Sequence, residues 1–281
     1  MRLEGVGKRY RRGGPWVLRG VDLELELEPG ALVRVEGANG SGKSTLLRLI
    51  AGLEAPSRGR IGGRGRAAYV PERFPPALPF DAEGYLRHLG MIQGLSRAEA
   101  VRRAGLWLER FGIGDRSGTP MHQLSKGTCQ KVAVAQALLA EPDLLLLDEA
   151  WTGLDQAARA LLDSAAAERA EAGGTVVFVD HDPGRLAGVV SCGYRVRAGA
   201  VEESGEQAAA VVGGPMAVVE VELAADARLP ERLPGAPVRS PVPGGVRLEV
   251  AAGYGDALLR RLLALQPPVH IRSVRPPGVP E

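Results

Sequence analysis

The nine residues Gly37–Thr45, reading GANGSGKST, constrain this chain more than any other stretch. Glycines at this spacing remove the side chains that would keep backbone N–H groups from converging on one point, and a helix starting directly after them adds its positive end. The flanks supply the required context. Ala31 to Glu36 (ALVRVE) alternates at strand period, while TLLRLIAGL has an apolar helical face closed by Gly52. A loop of this kind between a strand and a helix cradles a polyphosphate such as that of ATP. Gly37, Ala38, Asn39, Gly40, Ser41 and Gly42 form the cradle. Lys43 reaches the β and γ phosphates, Ser44 offers a hydroxyl to Mg²⁺ and Thr45 lies beside it.

A pair of acids completes this chemistry. Leu144 to Glu149 reads LLLLDE, a short run buried on both faces that ends in two carboxylates at the edge where ligands of parallel sheets bind. Asp148 is the expected Mg²⁺ partner, and Glu149, one residue on, is the candidate general base for the attacking water. TVVFVD at 175–180 reads as another buried parallel strand, separated from the first by an Ala-rich helix around 156–172.

Elsewhere the pattern changes by segment. Val21 to Leu27 alternates, turns at Pro29-Gly30 and resumes at Ala31, which predicts an antiparallel start. Residues 81–140 are mostly helical and read as an inserted lobe. Past about residue 205, AVVEVEL, GVRLEV, DALLRRLLAL and VHIRSV predict a small α+β appendage, with PPGVPE as a frayed tail.

Bulk numbers exclude several classes. With 281 residues, 45% of them hydrophobic, there is room for one full α/β domain and a smaller one. A net charge of +2, from 35 basic and 33 acidic residues, argues against direct nucleic-acid binding; the run Lys8, Arg9, Arg11, Arg12 reads as a solvated hairpin beside the nucleotide. Cys129 and Cys192 form no metal or redox pair, and His88, His122 and His270 are scattered. No secretory signal opens the sequence and no run of about 20 apolar residues spans a bilayer, so a cytoplasmic location is expected.

LSKGTCQKV at 124–132, followed by AVAQALLAEPDLLLLDEAWTGLD, narrows the choice: over roughly residues 1–205 the chain resembles the ATP-binding cassette family. The resemblance implies a P-loop NTPase fold of the ABC type, α/β, with an antiparallel β subdomain, a parallel-sheet core and an inserted helical subdomain. The domain division is then 1–205 for the ATP-binding domain and 206–281 for the appendage. LSKGT is similar to the family's LSGGQ signature, keeping Ser125 and Gly127 but placing Lys126 and Thr128 where the family has glycine and glutamine. In the family this segment faces the γ phosphate bound by a partner subunit.

Other positions carry over one by one. Gly153-Leu154-Asp155 resembles the D-loop that crosses the dimer interface, and His181 the switch histidine on the γ phosphate. Tyr10 resembles the aromatic that stacks on adenine, with Trp16 a rival. Glu72 stands where the family usually has the glutamine that touches Mg²⁺ and water. A carboxylate there still holds the cation but donates no hydrogen bond. The family reading is a Mg-dependent ATPase subunit, paired as a homodimer or heterodimer. It acts peripherally on a transmembrane permease, with export favoured from the tail and the LSKG form. The alternative is a soluble, non-transport ATPase of the same family acting on nucleic acid, the ribosome or an assembly scaffold.

Overall fold

A computed structural model describes residues 1–24, 30–63, 65–75, 78–182, 184–186, 189–204, 216–222, 229–230, 233, 237–251, 255–263, 265 and 269–275. It divides into two compact units, Met1–Arg185 with Tyr194–Glu203, and Leu186–Gly193 with Ser204–Glu281. The tail PPGVPE and residues 25–29 of the early alternating stretch lie outside the described residues.

In chain order the elements are β1 (Arg2–Lys8), β2 (Leu18–Glu24), β3 (Leu32–Glu36), α1 (Lys43–Ala51), β4 (Arg58–Gly62) and β5 (Ala67–Val70). Then come α2 (Ala82–Ile92), α3 (Arg97–Arg110), α4 (Lys126–Leu138), β6 (Leu144–Asp148), α5 (Gln156–Glu171), β7 (Thr175–Val179), β8 (Cys192–Arg197) and β9 (Ala200–Ser204). Two sheets result: an antiparallel one of order β2-β1-β4 and a six-stranded one of order β5-β6-β7-β3-β8-β9. Within the larger sheet β5, β6, β7 and β3 run parallel, and β6 and β7 are buried at every position, as their apolar runs require.

One expectation is corrected. Ala31–Glu36 does not continue the antiparallel start: β3 pairs in parallel with β7, Leu32 opposite Val176. The alternation that suggested a half-exposed strand comes from Arg34. That side chain is buried, donating to the Asp182 carbonyl at 2.8 Å, pairing with Glu36 at 3.1 Å and lying over the Phe178 ring. A charge satisfied in this way can occupy a core strand.

Helix starts follow capping chemistry. Asp81, Ser96, Ser125 and Asp155 cap α2, α3, α4 and α5, each accepting a backbone N–H of its first turn. At α3, Ser96 and Glu99 fit the capping-box pattern, and Glu99 also pairs with Arg102 and Arg103. Helix α1 starts from Gly42, a left-handed residue with φ 110°, and no side chain caps it. Its first-turn N–H groups therefore face the phosphate loop.

The second unit contains β10 (Met216–Glu222), β11 (Val238–Val242), β12 (Gly245–Ala251), α6 (Gly255–Leu263) and β13 (His270–Arg275), with sheet order β11-β12-β10-β13. All its pairings are antiparallel. Val219, Val221, Leu248 and Val250 alternate inward and form one core with Leu258 and Leu262 of α6. Pro241 sits in the edge strand β11, where a missing N–H costs no ladder bond.

Candidate functional site

The phosphate loop leaves the end of β3 and turns into α1. Gly37, Gly40 and Gly42 all have positive φ, and a Cβ on Gly37 would meet the Val196 carbonyl at 2.5 Å. Glycine is therefore dictated there by both conformation and space. Lys43, 7% exposed, folds over the loop and donates to the carbonyls of Gly37 and Ala38 at 2.9 and 3.1 Å.

Parallel pairing of β6 beside β5 and β7 delivers Asp148 to the same edge. Ser44 donates to Asp148 Oδ1 at 2.9 Å, which joins the loop hydroxyl to the strand-end carboxylate. The other oxygen, Oδ2, accepts the Tyr69 hydroxyl at 2.7 Å. Burial, together with the bond to Asp148, pushes the Tyr69 hydroxyl well above its usual range. Tyr69 was invisible from sequence: it lies within a four-residue strand, and its partner is 79 residues away.

Glu149 sits next to Asp148 in the left-handed region, φ 51°, a strained position for a residue with a side chain. Its Oε1 lies 2.9 Å from Nε2 of His181, which follows β7. An open depression of about 420 Å³ is lined by Asn39, Gly40, Gly42, Lys43, Ser44, Thr45, Glu72, Glu149, His181 and Val17. Residues separated by more than 100 positions thus meet in one place. Glu72 is exposed and pairs with Arg73 at 3.5 Å.

Both aromatic candidates carry a cation over the ring, and they differ in exposure. The guanidinium groups of Arg9 and Arg58 lie over the Trp16 ring, at 4.9 and 5.3 Å from its centroid, and the ring packs against Gly7. Tyr10 is 56% exposed, has Lys8 Nζ 5.2 Å from its ring centroid and is tied to the loop helix through its hydroxyl, 3.0 Å from Thr45 Oγ1 and 3.2 Å from Glu54. Glu54 also pairs with Lys8 at 2.9 Å and Arg48 at 3.2 Å. Burial raises its carboxyl pKa, but the hydrogen bonds from Lys8, Arg48 and Tyr10 win and hold it below the usual range. In the basic run, then, Lys8 and Arg9 are structural, while Arg11 and Arg12 are exposed.

Ser125, Gly127 and Asp155 are not among the residues lining the depression. They lie together instead. A Cβ on Gly127 would meet the Gly153 carbonyl at 2.8 Å, and Lys131 of α4 pairs with Asp155 at 2.8 Å. The Ser125 hydroxyl accepts the Thr128 N–H at 3.1 Å and shares a hydrogen bond with Thr128 Oγ1 at 2.8 Å, while the serine itself stays exposed.

One further residue went unnoticed in the sequence. Gln130, buried in α4, donates to the carbonyls of Pro71 at 2.9 Å and Ala150 at 3.3 Å, the neighbours of Glu72 and Glu149. Gln130 is one of two amides in α4, the other being Gln136, and no adjacent residue marks it out in the sequence.

Comparison with known proteins fits this geometry. The family described as ABC transporter matches residues 21–152. An uncharacterized ABC transporter ATP-binding protein of Bacillus subtilis, YhaQ, is 34% identical over 57% of this chain; the match spans 56% of that relative's length. The methionine import ATP-binding protein MetN of Bradyrhizobium diazoefficiens is 32% identical over 93% of this chain and 83% of its own. A solved dimeric, post-hydrolysis ATP-binding cassette holding ADP and phosphate superposes with a TM-score of 0.64, at 25% identity over 72% of this chain and 97% of its own. Export gains no support: the relatives include zinc, sulfonate and iron(III) import proteins as well as a macrolide export protein. The chain belongs to the ABC transporter family, as an ATP-binding subunit of the ABC ATPase type.

Proposed function

We propose that this chain is the Mg-dependent ATPase subunit of a transporter, acting as one half of a dimeric clamp on a separate transmembrane permease. The observation that carries this is the split of the machinery. Loop, carboxylates and histidine line one depression, while Ser125, Gly127 and Asp155 form a second surface outside it. A second copy or a sister chain presenting that surface completes the site, and a related cassette is solved as a dimer.

Within the site, Lys43 and the α1 N-terminus hold the phosphates, and Tyr10 stacks on the base. Glu149 accepts the proton of the attacking water, and His181, at 2.9 Å from it, orients the carboxylate and contacts the γ phosphate. The donor set fits Mg²⁺. Ser44 and Asp148 already meet at 2.9 Å and Glu72 lines the same depression, all hard oxygen ligands. When bound, the cation neutralises charge on the transferring phosphoryl group.

Among the described residues no helix is long and apolar enough to cross a membrane, so the permease supplies the span and this subunit sits against its inner face. The non-transport alternative is not favoured, because the relatives with named roles are transport proteins. Phosphate release from the purified protein tests the reading, with and without membranes carrying the permease. Turnover that disappears in Lys43→Ala supports it, and equal release from both proteins in both conditions rejects it.

A further inference from the structure

A knot of side chains surrounds the turn that carries His181. Asp163, on α5, is shared between two donors: Oδ1 accepts the indole N–H of Trp151 at 2.8 Å, and Oδ2 takes Arg185 Nη1 at 2.9 Å. The same guanidinium lies 3.5 Å from Asp182 and 3.7 Å from Asp180, the residues on either side of His181. Its carbon is 5.3 Å from the centroid of the Trp151 ring, and only 13% of the side chain is exposed. Trp151 is itself buried and meets Phe178 of β7 edge-on.

The turn is closed by its own acids. Asp180 accepts the Asp182 N–H at 2.7 Å, and Asp182 accepts the Gly184 N–H at 2.8 Å. Asp163, Asp180 and Asp182 are therefore three carboxylates converging on one place, which repel each other unless a cation sits among them. A planar guanidinium serves several carboxylates at fixed angles, which an ammonium cannot do. The His181 side chain is 59% exposed, so its position is set by the backbone that carries it.

We propose that Arg185 is a positioning residue that locks the Asp180-His181-Asp182 turn to helix α5, and thereby fixes His181 against Glu149. The lock also reaches the dimer-facing segment, because Asp155 caps α5 and Trp151 lies between Glu149 and Gly153. Arg185 touches neither nucleotide nor water; it acts through His181, and in this it rests on the reading of Glu149 and His181 as the hydrolytic pair.

The test compares Arg185→Met, similar in length and uncharged, with Arg185→Lys. Arg185→Met is expected to lose about tenfold in turnover while the ATP dissociation constant stays within about twofold. Amide exchange at His181 and Asp182 should quicken about tenfold with the phosphate-loop amides unchanged. Arg185→Lys should recover part of the turnover. Unchanged exchange at the turn overturns the proposal, as does wild-type turnover in Arg185→Met, or turnover and ATP affinity falling together. Should Arg185→Met not fold, Asp163→Asn, which keeps an oxygen for Trp151 and removes the ion pair, must show the same split at about threefold. His181→Ala separates the two readings. If it retains full turnover, the assignment of His181 fails, and the exchange measurement alone still decides whether Arg185 holds the turn.

Discussion

Gly127→Ala is the most informative small change in the second surface. A Cβ at Gly127 would stand 2.8 Å from the Gly153 carbonyl oxygen, whereas ordinary contact begins at 3.4 Å. Gly153 lies in the left-handed region at φ 80°, in the turn that leads to Asp155, the cap of α5. The segment Gly153–Asp155 and the start of α4 must separate. Overpacking of this kind costs about 1–3 kcal/mol. For a domain of this size that lowers the melting temperature by about 2–4 °C per kcal/mol. The functional loss should be larger, because misplacement by about 1 Å costs about 10²-fold in rate, and a shift of roughly half that should cost about tenfold. Nucleotide binding by the separate loop should change less than about twofold. Thermal melting, titration with a fluorescent ATP analogue and phosphate release measure the three quantities. Full turnover at an unchanged melting temperature would refute the reasoning, and so would loss of nucleotide binding alone.

Two further changes probe the loop side. Tyr69→Phe removes a hydrogen bond to a buried carboxylate, worth about 1.5–3 kcal/mol, and should lower the melting temperature by about 3–12 °C. Because the Tyr69 hydroxyl titrates higher when folded, its contribution is complete below about pH 10 and is lost as pH rises through the folded value. Alkaline melting curves of wild type and variant should therefore converge. Glu54 shows the opposite sign: its folded pKa is depressed, so its contribution is present above about pH 4.3 and fades as pH falls through the folded value. Glu54→Gln should cost about 1–2 kcal/mol at neutral pH, flatten the acid limb of the stability curve and raise the KM for ATP by loosening Tyr10.

What the sequence made legible was local. The phosphate loop, the run LLLLDE and the histidine after TVVFVD are each written in a few adjacent residues. β4 was not legible, since RGRIG is almost fully exposed and owes its strand conformation to pairing with β1. β11 carries a proline that argues against a strand. Arg34 disguised a core strand because its partners lie as far away as Asp182. Tyr69, Gln130 and Arg185 share that property: each acts through bonds between segments distant in sequence, and no periodicity records such a bond.

The central claim is that the phosphate loop and the surface of Ser125 and Gly127 belong to opposite halves of each site. Glu149→Gln keeps the size of the side chain and removes the base, so bound ATP should persist. Sedimentation of this variant with Mg²⁺ and ATP, against nucleotide-free protein, measures the claim directly. The account predicts a shift from monomer to dimer that Lys43→Ala abolishes. A Glu149→Gln protein that remains monomeric while saturated with ATP would contradict it.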